Sequence, residues 1–237
     1  EKRPCIYVVV EEQARNKKFI NELIKHVQKI ELVLWAGSTK DTKSDLPIDL
    51  FEHHGEIKYF TSPAVFQQIH TVANHSLRKM VHDILKKFCY DQGNILDLYC
   101  GSGNLSLSLA KLGISVTGIE NSKQSIRVAK YNCSANGIKS GHYVYRCVDK
   151  YLQGDALDRL NFKAVIVDPP RRGMNKQSLE KIISLSPQVI IYIGCQLGSW
   201  ARDVGRLMKD YSLDDVHGFD FFPQTYHTEA AAILLRR

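Results

Sequence analysis

The sequence predicts an α/β protein with a mostly parallel, seven-stranded sheet, helices on both faces, and a small α+β unit ahead of it. Three observations carry the prediction. From about residue 94 onward, short apolar runs rich in β-branched residues alternate with segments of helical periodicity, the pattern of successive βα units. The last two strand-like runs follow each other with no helix between them, so the sheet closes on a hairpin and holds one antiparallel strand. Residues 1–60 do not share the alternation and are assigned to a separate unit, leaving 61–237 as the α/β domain.

Within the first unit, Cys5–Val10 is β-branched and aromatic and reads as a strand. Residues 14–29 place Phe19, Leu23, Ile24 and Val27 at helical spacing, and Leu32–Trp35 is a second strand. The polar stretch 37–47 is a loop, after which Ile48–Phe51 and Ile57–Phe60 form a hairpin-like pair. Val72 to Phe88 is an amphipathic helix through Leu77, Met80, Val81, Ile84 and Leu85. Strands are then expected at Asn94–Leu98, Ser115–Ile119, Tyr143–Cys147, Ala164–Val167 and Val189–Ile193. The intervening helices are Leu105–Leu112, Lys123–Asn136, a weak one near 150–160, Lys176–Leu185 and Ser199–Tyr211. Strand-like runs near 213–219 and 228–235 complete the sheet.

Composition narrows the class. Hydrophobic residues make up 44% and charged residues 24%, which excludes a disordered chain, a collagen-like repeat and a membrane bundle. Val189–Ile193 and Ala230–Leu235 are far too short to span a bilayer, and Glu1–Pro4 does not read as a signal peptide. The net charge of +7 attracts polyanions, although solubility alone accounts for it equally well. None of the six cysteines forms a C-x-x-C pair, so neither a zinc ribbon nor a thioredoxin-type motif is present and no metal is expected. Reduced thiols fit a cytoplasmic protein.

The first βα turn reads Asp97-Leu98-Tyr99-Cys100-Gly101-Ser102-Gly103-Asn104. A dinucleotide fingerprint needs a third glycine where Ser106 stands. The turn instead has an acid before it, Asp97, and an acid ending the next strand, Glu120, whose carboxylate suits ribose hydroxyls. This pattern resembles the S-adenosylmethionine fold, a Rossmann-like methyltransferase, more than the NAD fold; a ligand-free structural turn is the other reading. After the fourth strand comes Asp168-Pro169-Pro170-Arg171-Arg172-Gly173, a stiff loop at the same end of the sheet whose arginines suit phosphate or carboxylate contacts. Cys195 ends the fifth strand before a helix, a position expected to favour the thiolate. Glu229 opens an otherwise apolar strand, where a carboxylate is costly unless exposed, paired or functional, and His227 beside it reads as a packed or capping histidine.

Taken in order, these motifs resemble the RNA uracil-C5 methyltransferase family, whose members make 5-methyluridine in tRNA and ribosomal RNA. Phe66-Gln67-Gln68 resembles its F-x-Q segment, 97–104 its glycine loop, and 168–173 its D-P-P-R-x-G. Tyr192–Cys195 with Ala201-Arg202-Asp203 resembles its Y-x-S-C-N-P and A-R-D, and 222–229 its F-P-x-T-x-H-x-E. Gly194 departs from the family's serine, Gln196-Leu197 from its Asn-Pro, and His70 from its asparagine.

The resemblance implies that Cys195 is the nucleophile and Glu229 the base, with Gln68, Tyr99, Gly101, Gly103, Asn104, Glu120 and Asp168 at the S-adenosylmethionine site. Asp168 suits either the uracil edge or the methionine end of the donor, Arg171 the RNA or an exposed loop, and Phe66 the extruded base or, equally, the core. A thiolate adds to uracil C6 and makes C5 nucleophilic, and a carboxylate then removes the C5 proton. The implied partner is RNA, and the implied state a monomer. The competing readings are a methyltransferase acting on an amino group or small molecule, which needs no cysteine, and a catalytically decayed RNA-binding homologue.

Overall fold

The computed structural model describes residues 5–10, 31–36, 50–62, 65–68, 70–89, 93–154, 157 and 160–237, the first two stretches and residue 50 by their backbone only. Two compact units emerge, residues 1–48 with 62–64, and residues 49–61 with 65–237. In the first, strands β1 (Cys5–Val10) and β2 (Glu31–Ala36) pair in parallel, Cys5 opposite Glu31 and Val10 opposite Ala36. A parallel pair needs a long crossover, and residues 11–30 supply the length. The helix expected over 14–29 and the loop over 37–47 lie outside the described residues.

The larger unit starts with the hairpin β3 (Leu50–His54) and β4 (Ile57–Thr61), turning at Gly55-Glu56 with Gly55 left-handed at φ +59°. Helix α1 (Thr71–Cys89) follows. Then come β5 (Asn94–Leu98), α2 (Leu107–Lys111), β6 (Ser115–Glu120), α3 (Lys123–Ala135), β7 (Gly141–Tyr145) and α4 (Val148–Leu152). The second half runs β8 (Phe162–Val167), α5 (Lys176–Leu185), β9 (Val189–Gly194), α6 (Leu197–Leu207), β10 (Tyr211–Phe219) and β11 (Glu229–Arg236). The seven-stranded sheet has the order β10-β11-β9-β8-β5-β6-β7, and only β11 runs antiparallel. This is the mostly parallel sheet with one reversed strand that the sequence predicts.

Alternating side chains divide the core into two layers. Ile95, Val116, Ile166, Ile191 and Ile233 face α1, α2 and α3 through Leu77, Val81, Leu107 and Ile126. Their neighbours Leu96, Val165, Ile190 and Leu234 face α4, α5 and α6 through Val148, Ile182, Val204 and Leu207. The central strands are buried on both faces, which is why they read as unbroken apolar runs.

Asn132 of α3 and Asn136 at its C-cap seal the free edge of β4. Asn132 accepts from the Phe60 N–H at 2.7 Å and donates to its carbonyl at 3.1 Å; Asn136 does the same for Lys58 at 2.9 and 2.8 Å. A carboxamide carries the donor and acceptor of a peptide group, so the two side chains act as one missing strand.

Several boundaries differ from expectation, among them β3, which is Leu50–His54 and not Ile48–Phe51, and α4, which is Val148–Leu152 and not 150–160. β7 spans 141–145 instead of 143–147, because Cys147 is the N-cap of α4 and Val148 turns into the core. α2 is five residues long, since Gly101–Ser106 is consumed by turns. α6 starts at Leu197 and stops at Leu207, and Tyr211, whose hydroxyl donates to the Pro187 carbonyl at 3.0 Å, opens β10.

Candidate active site

The strand order reverses between β5 and β8, the point at which ligands bind in open α/β sheets, outside the carboxyl ends of the strands. A cavity of about 670 Å³ lies there. Phe66, Gln68, Tyr99, Gly101, Glu120, Asp168, Arg171, Cys195 and Glu229 all line it; Gly103 and Asn104 do not.

At one end, the turn after β5 contains Tyr99 at φ +62°, Gly101 at +55° and Gly103 at +83°. A left-handed tyrosine is strained and persists only where its surroundings hold it. Glu120 ends β6 and accepts from the Gly101 N–H at 3.2 Å and the Ser122 N–H at 2.8 Å, which fixes its carboxylate at the cavity wall. A Cβ on Gly101 would meet nothing within 4 Å. A Cβ on Gly103 would lie 2.9 Å from the Tyr143 hydroxyl, so that glycine serves packing. Beneath the turn Asp97 is fully buried, and burial pushes its carboxyl up to about 7, with Glu120 adding to the rise and Ser106 opposing it.

At the other end Cys195 follows β9 and Glu229 starts β11. Gly194 and Ala230 form the last pair of the antiparallel ladder, so Cys195 and Glu229 are the next residues beyond it on the two chains, and both line the cavity. Asp168 leaves the end of β8, its N–H donating to the Leu98 carbonyl at 3.3 Å. Burial, then Glu229, then Asp97 push its carboxyl up to about 8. Burial also raises Glu229, which the Gln68 side chain opposes by hydrogen bonding, and Glu229 Oε2 is buried with no partner. Cys195 is half-buried; burial, Glu229 and Asp168 push its thiol up, while Arg171 draws it down. The expected lowering by a helix start is therefore outweighed by desolvation and two carboxyls.

The two raised carboxyls, Asp97 and Asp168, make the free chain's stability fall as pH rises. An unfolded aspartate titrates near about 3.9. Folded Asp97 and Asp168 titrate near about 7 and about 8, so between those limits the folded state holds the extra protons and raising pH favours unfolding. Denaturation midpoints measured from pH 5 to 8.5 should decline, and the slope should flatten in Asp168→Asn; a rise with pH would contradict the assignment.

Helix α6 fastens the 168–173 loop to β9. Asp203 is fully buried and accepts from the Met174 N–H at 2.8 Å, the Tyr192 hydroxyl at 2.7 Å and Arg202 Nε at 2.8 Å. Arg202 also donates to the Arg172 carbonyl at 2.9 Å, and the Ser199 hydroxyl to the Arg171 carbonyl at 2.6 Å. Gly173, at φ +73°, lets the loop pass directly against Asp203. Asp203→Ala leaves a buried hydroxyl and N–H unpaired, and should cost about 3–5 kcal/mol by urea denaturation. Gly194 is likewise explained: a Cβ there would lie 3.0 Å from Trp200 Cδ1, and Trp200 is anchored by its N–H to the Tyr192 carbonyl at 3.1 Å. The sequence departure at 194 is thus matched to Trp200 in the first turn of α6.

Several cavity residues escaped sequence reasoning. Cys147, Val148 and Asp149 line it; the apolar run 143–147 masks the turn from β7 into α4 that brings them there. His227 lines it as well, its ring 4.2 Å from that of Tyr226, which is 89% exposed at the surface. Phe66 is 78% exposed. Among the described residues, no cluster of histidine, cysteine and acidic side chains is arranged to hold a metal, and no helix is long and apolar enough to cross a membrane.

A family model described as tRNA (Uracil-5-)-methyltransferase matches residues 9–237. The chain is 30% identical over 219 residues to the tRNA (uracil(54)-C(5))-methyltransferase of Schizosaccharomyces pombe, covering 86% of this chain and 41% of that one. It is 36% identical over 182 residues to the 23S rRNA (uracil(747)-C(5))-methyltransferase of Pyrococcus horikoshii, covering 76% and 41%. It spans less than half the length of these curated relatives. The crystal structure of Pyrococcus abyssi tRNA (uracil-54, C5)-methyltransferase, in complex with S-adenosyl-L-homocysteine, superposes with a TM-score of 0.75 at 23% identity, over 98% of this chain and 56% of that one, a likeness of fold.

Proposed function

The chain belongs to the tRNA (uracil-5-)-methyltransferase family, and from that premise we propose that it forms 5-methyluridine in tRNA or ribosomal RNA, with S-adenosylmethionine as methyl donor. The observation that carries the reading is the β9–β11 register, which makes Cys195 and Glu229 neighbours at one cavity.

The residues present suit the donor. Glu120 is held at the cavity wall for ribose hydroxyls, and the space beside Gly101 is open for close approach to the backbone. Tyr99, Gln68 and Asp168 continue the wall toward the reacting end. When bound, S-adenosylmethionine supplies an electrophilic methyl group. Gly103 and Asn104 support this turn from behind.

A uridine turned out of its stack meets exposed Phe66 at the mouth, and Arg171 contacts the RNA backbone. Cys195 releases its proton to water, and its thiolate sulfur bonds to uracil C6 while the ring electrons move to the C4 oxygen, making C5 nucleophilic. Once C5 is methylated, Glu229 takes its proton and the C6–sulfur bond breaks. Asp168, whose carboxyl is pushed up to about 8 by burial and Glu229, offers a hydrogen-bond donor to the enolate. Thiol, carboxylate and donor complete this chemistry, so the reading assigns no metal. It assigns a monomer in the cytoplasm, in keeping with Cys89, Cys100, Cys133, Cys147 and Cys195 being free.

The test is incubation with methyl-labelled S-adenosylmethionine and total cellular RNA, followed by nucleoside analysis. Label in 5-methyluridine is the expected result; label in a base methylated on nitrogen, or none, overturns the reading.

A further inference from the structure

Asn104 was the expected donor contact, yet its amide is engaged inside the protein. Its Oδ1 accepts from Arg78 Nε at 2.7 Å and from Asn74 Nδ2 at 3.2 Å, and its Nδ2 donates to Asn74 Oδ1 at 2.9 Å. Arg78 on α1 is itself buried, at 4% exposure. A buried guanidinium is costly unless paired. Arg78 is paired on three sides: Glu52 of β3 at 2.5 Å, the face of Tyr59 of β4 at 3.8 Å, and Asn104. The turn that Asn104 ends has three left-handed residues, Tyr99, Gly101 and Gly103, so its shape is imposed from outside. Asn132 holds it from the other flank, donating to the Ser102 carbonyl at 3.3 Å.

We propose that Arg78 is a positioning residue for the methyl-donor turn: it contacts neither donor nor RNA, and acts by fixing Asn104 and hence the backbone of residues 99–104. The proposal rests on the reading of this turn as the donor site. It extends that site beyond the cavity, to a buried cation that also ties the β3–β4 hairpin to the turn.

The experiment measures binding of S-adenosylhomocysteine by calorimetry, together with the KM for S-adenosylmethionine and kcat, in the full chain and in Arg78→Met, Arg78→Lys and Glu52→Gln. Arg78→Met should weaken binding of the product and raise the donor KM at least about tenfold, the scale of one hydrogen bond to a charged group. Its kcat at saturating donor and its KM for RNA should stay near wild type. Arg78→Lys should recover part of the loss. Glu52→Gln removes the ion pair but keeps the Nε bond to Asn104, so it should lower stability and leave donor affinity in place. If Arg78→Met does not fold, Asn104→Ala, which leaves Arg78 its Glu52 and Tyr59 partners, carries the same expected loss. Wild-type product affinity in Arg78→Met or in Asn104→Ala, or an equal loss in Glu52→Gln, overturns the proposal and leaves the functional reading standing. A wild-type chain that binds no S-adenosylhomocysteine overturns both.

Discussion

Cys195→Ala should leave a folded chain that transfers no methyl group to RNA. The expected fall in turnover is at least about a thousandfold, because the step lost is covalent activation of a carbon that is otherwise a poor nucleophile. The substitution is structurally mild. The thiol is half-buried at the edge of a cavity, and removing one sulfur there should shift stability by no more than about 1 kcal/mol. Donor binding is expected to persist, since the turn after β5 does not depend on Cys195. Labelled methyl incorporation, read beside a urea denaturation curve and S-adenosylhomocysteine binding, separates loss of chemistry from loss of fold. Full activity in this variant rules out the covalent route and favours a methyltransferase that needs no thiol.

Glu229→Gln should stop the reaction one step later. Uracil C6 is still attacked and C5 still methylated, but the C5 proton has no base to take it, so protein and RNA remain joined through sulfur. Turnover should fall by about 10²–10⁴, and a complex stable to denaturing electrophoresis should accumulate, dependent on both the donor and Cys195. Glutamine keeps the shape of glutamate and can still accept from Gln68. It also removes the penalty of a carboxyl that burial already pushes up and whose Oε2 has no partner, so the variant should be no less stable than the parent. A variant that turns over normally, or loses activity without trapping RNA, assigns the proton to another group, of which Asp168 is the nearest in kind.

Much of the architecture was legible because periodicity and punctuation agree in the central strands. Asn94–Leu98 and Lys176–Leu185 fall where apolar spacing puts them, and β9 is longer by one glycine. Edges were harder. In β7 Tyr143 is buried while Val144 and Tyr145 are exposed, so its apolar run does not mark its ends. The residues of the site were readable as motifs, but their mutual placement was not. That Cys195 and Glu229 are neighbours follows from Gly194 pairing with Ala230, and a register between strands distant in sequence leaves no local trace. The thiol's environment was misjudged for the same reason: a helix start is visible in sequence, whereas two carboxyls arriving from β8 and β11 are not. Arg78 reads as one more solvated charge on an amphipathic helix until its three partners are known.

β11 comes after every other described strand in the chain, yet it is inserted between β10 and β9. During synthesis the ribosome delivers the donor turn and the thiol first, and the carboxylate only with the strand that fills the slot beside β9. A chain that stops before residue 229 has Cys195 but lacks both Glu229 and the ladder from Gly194 to Val189. Closing the sheet and completing the proposed site are therefore one event, because the strand that fills the slot beside β9 also brings Glu229.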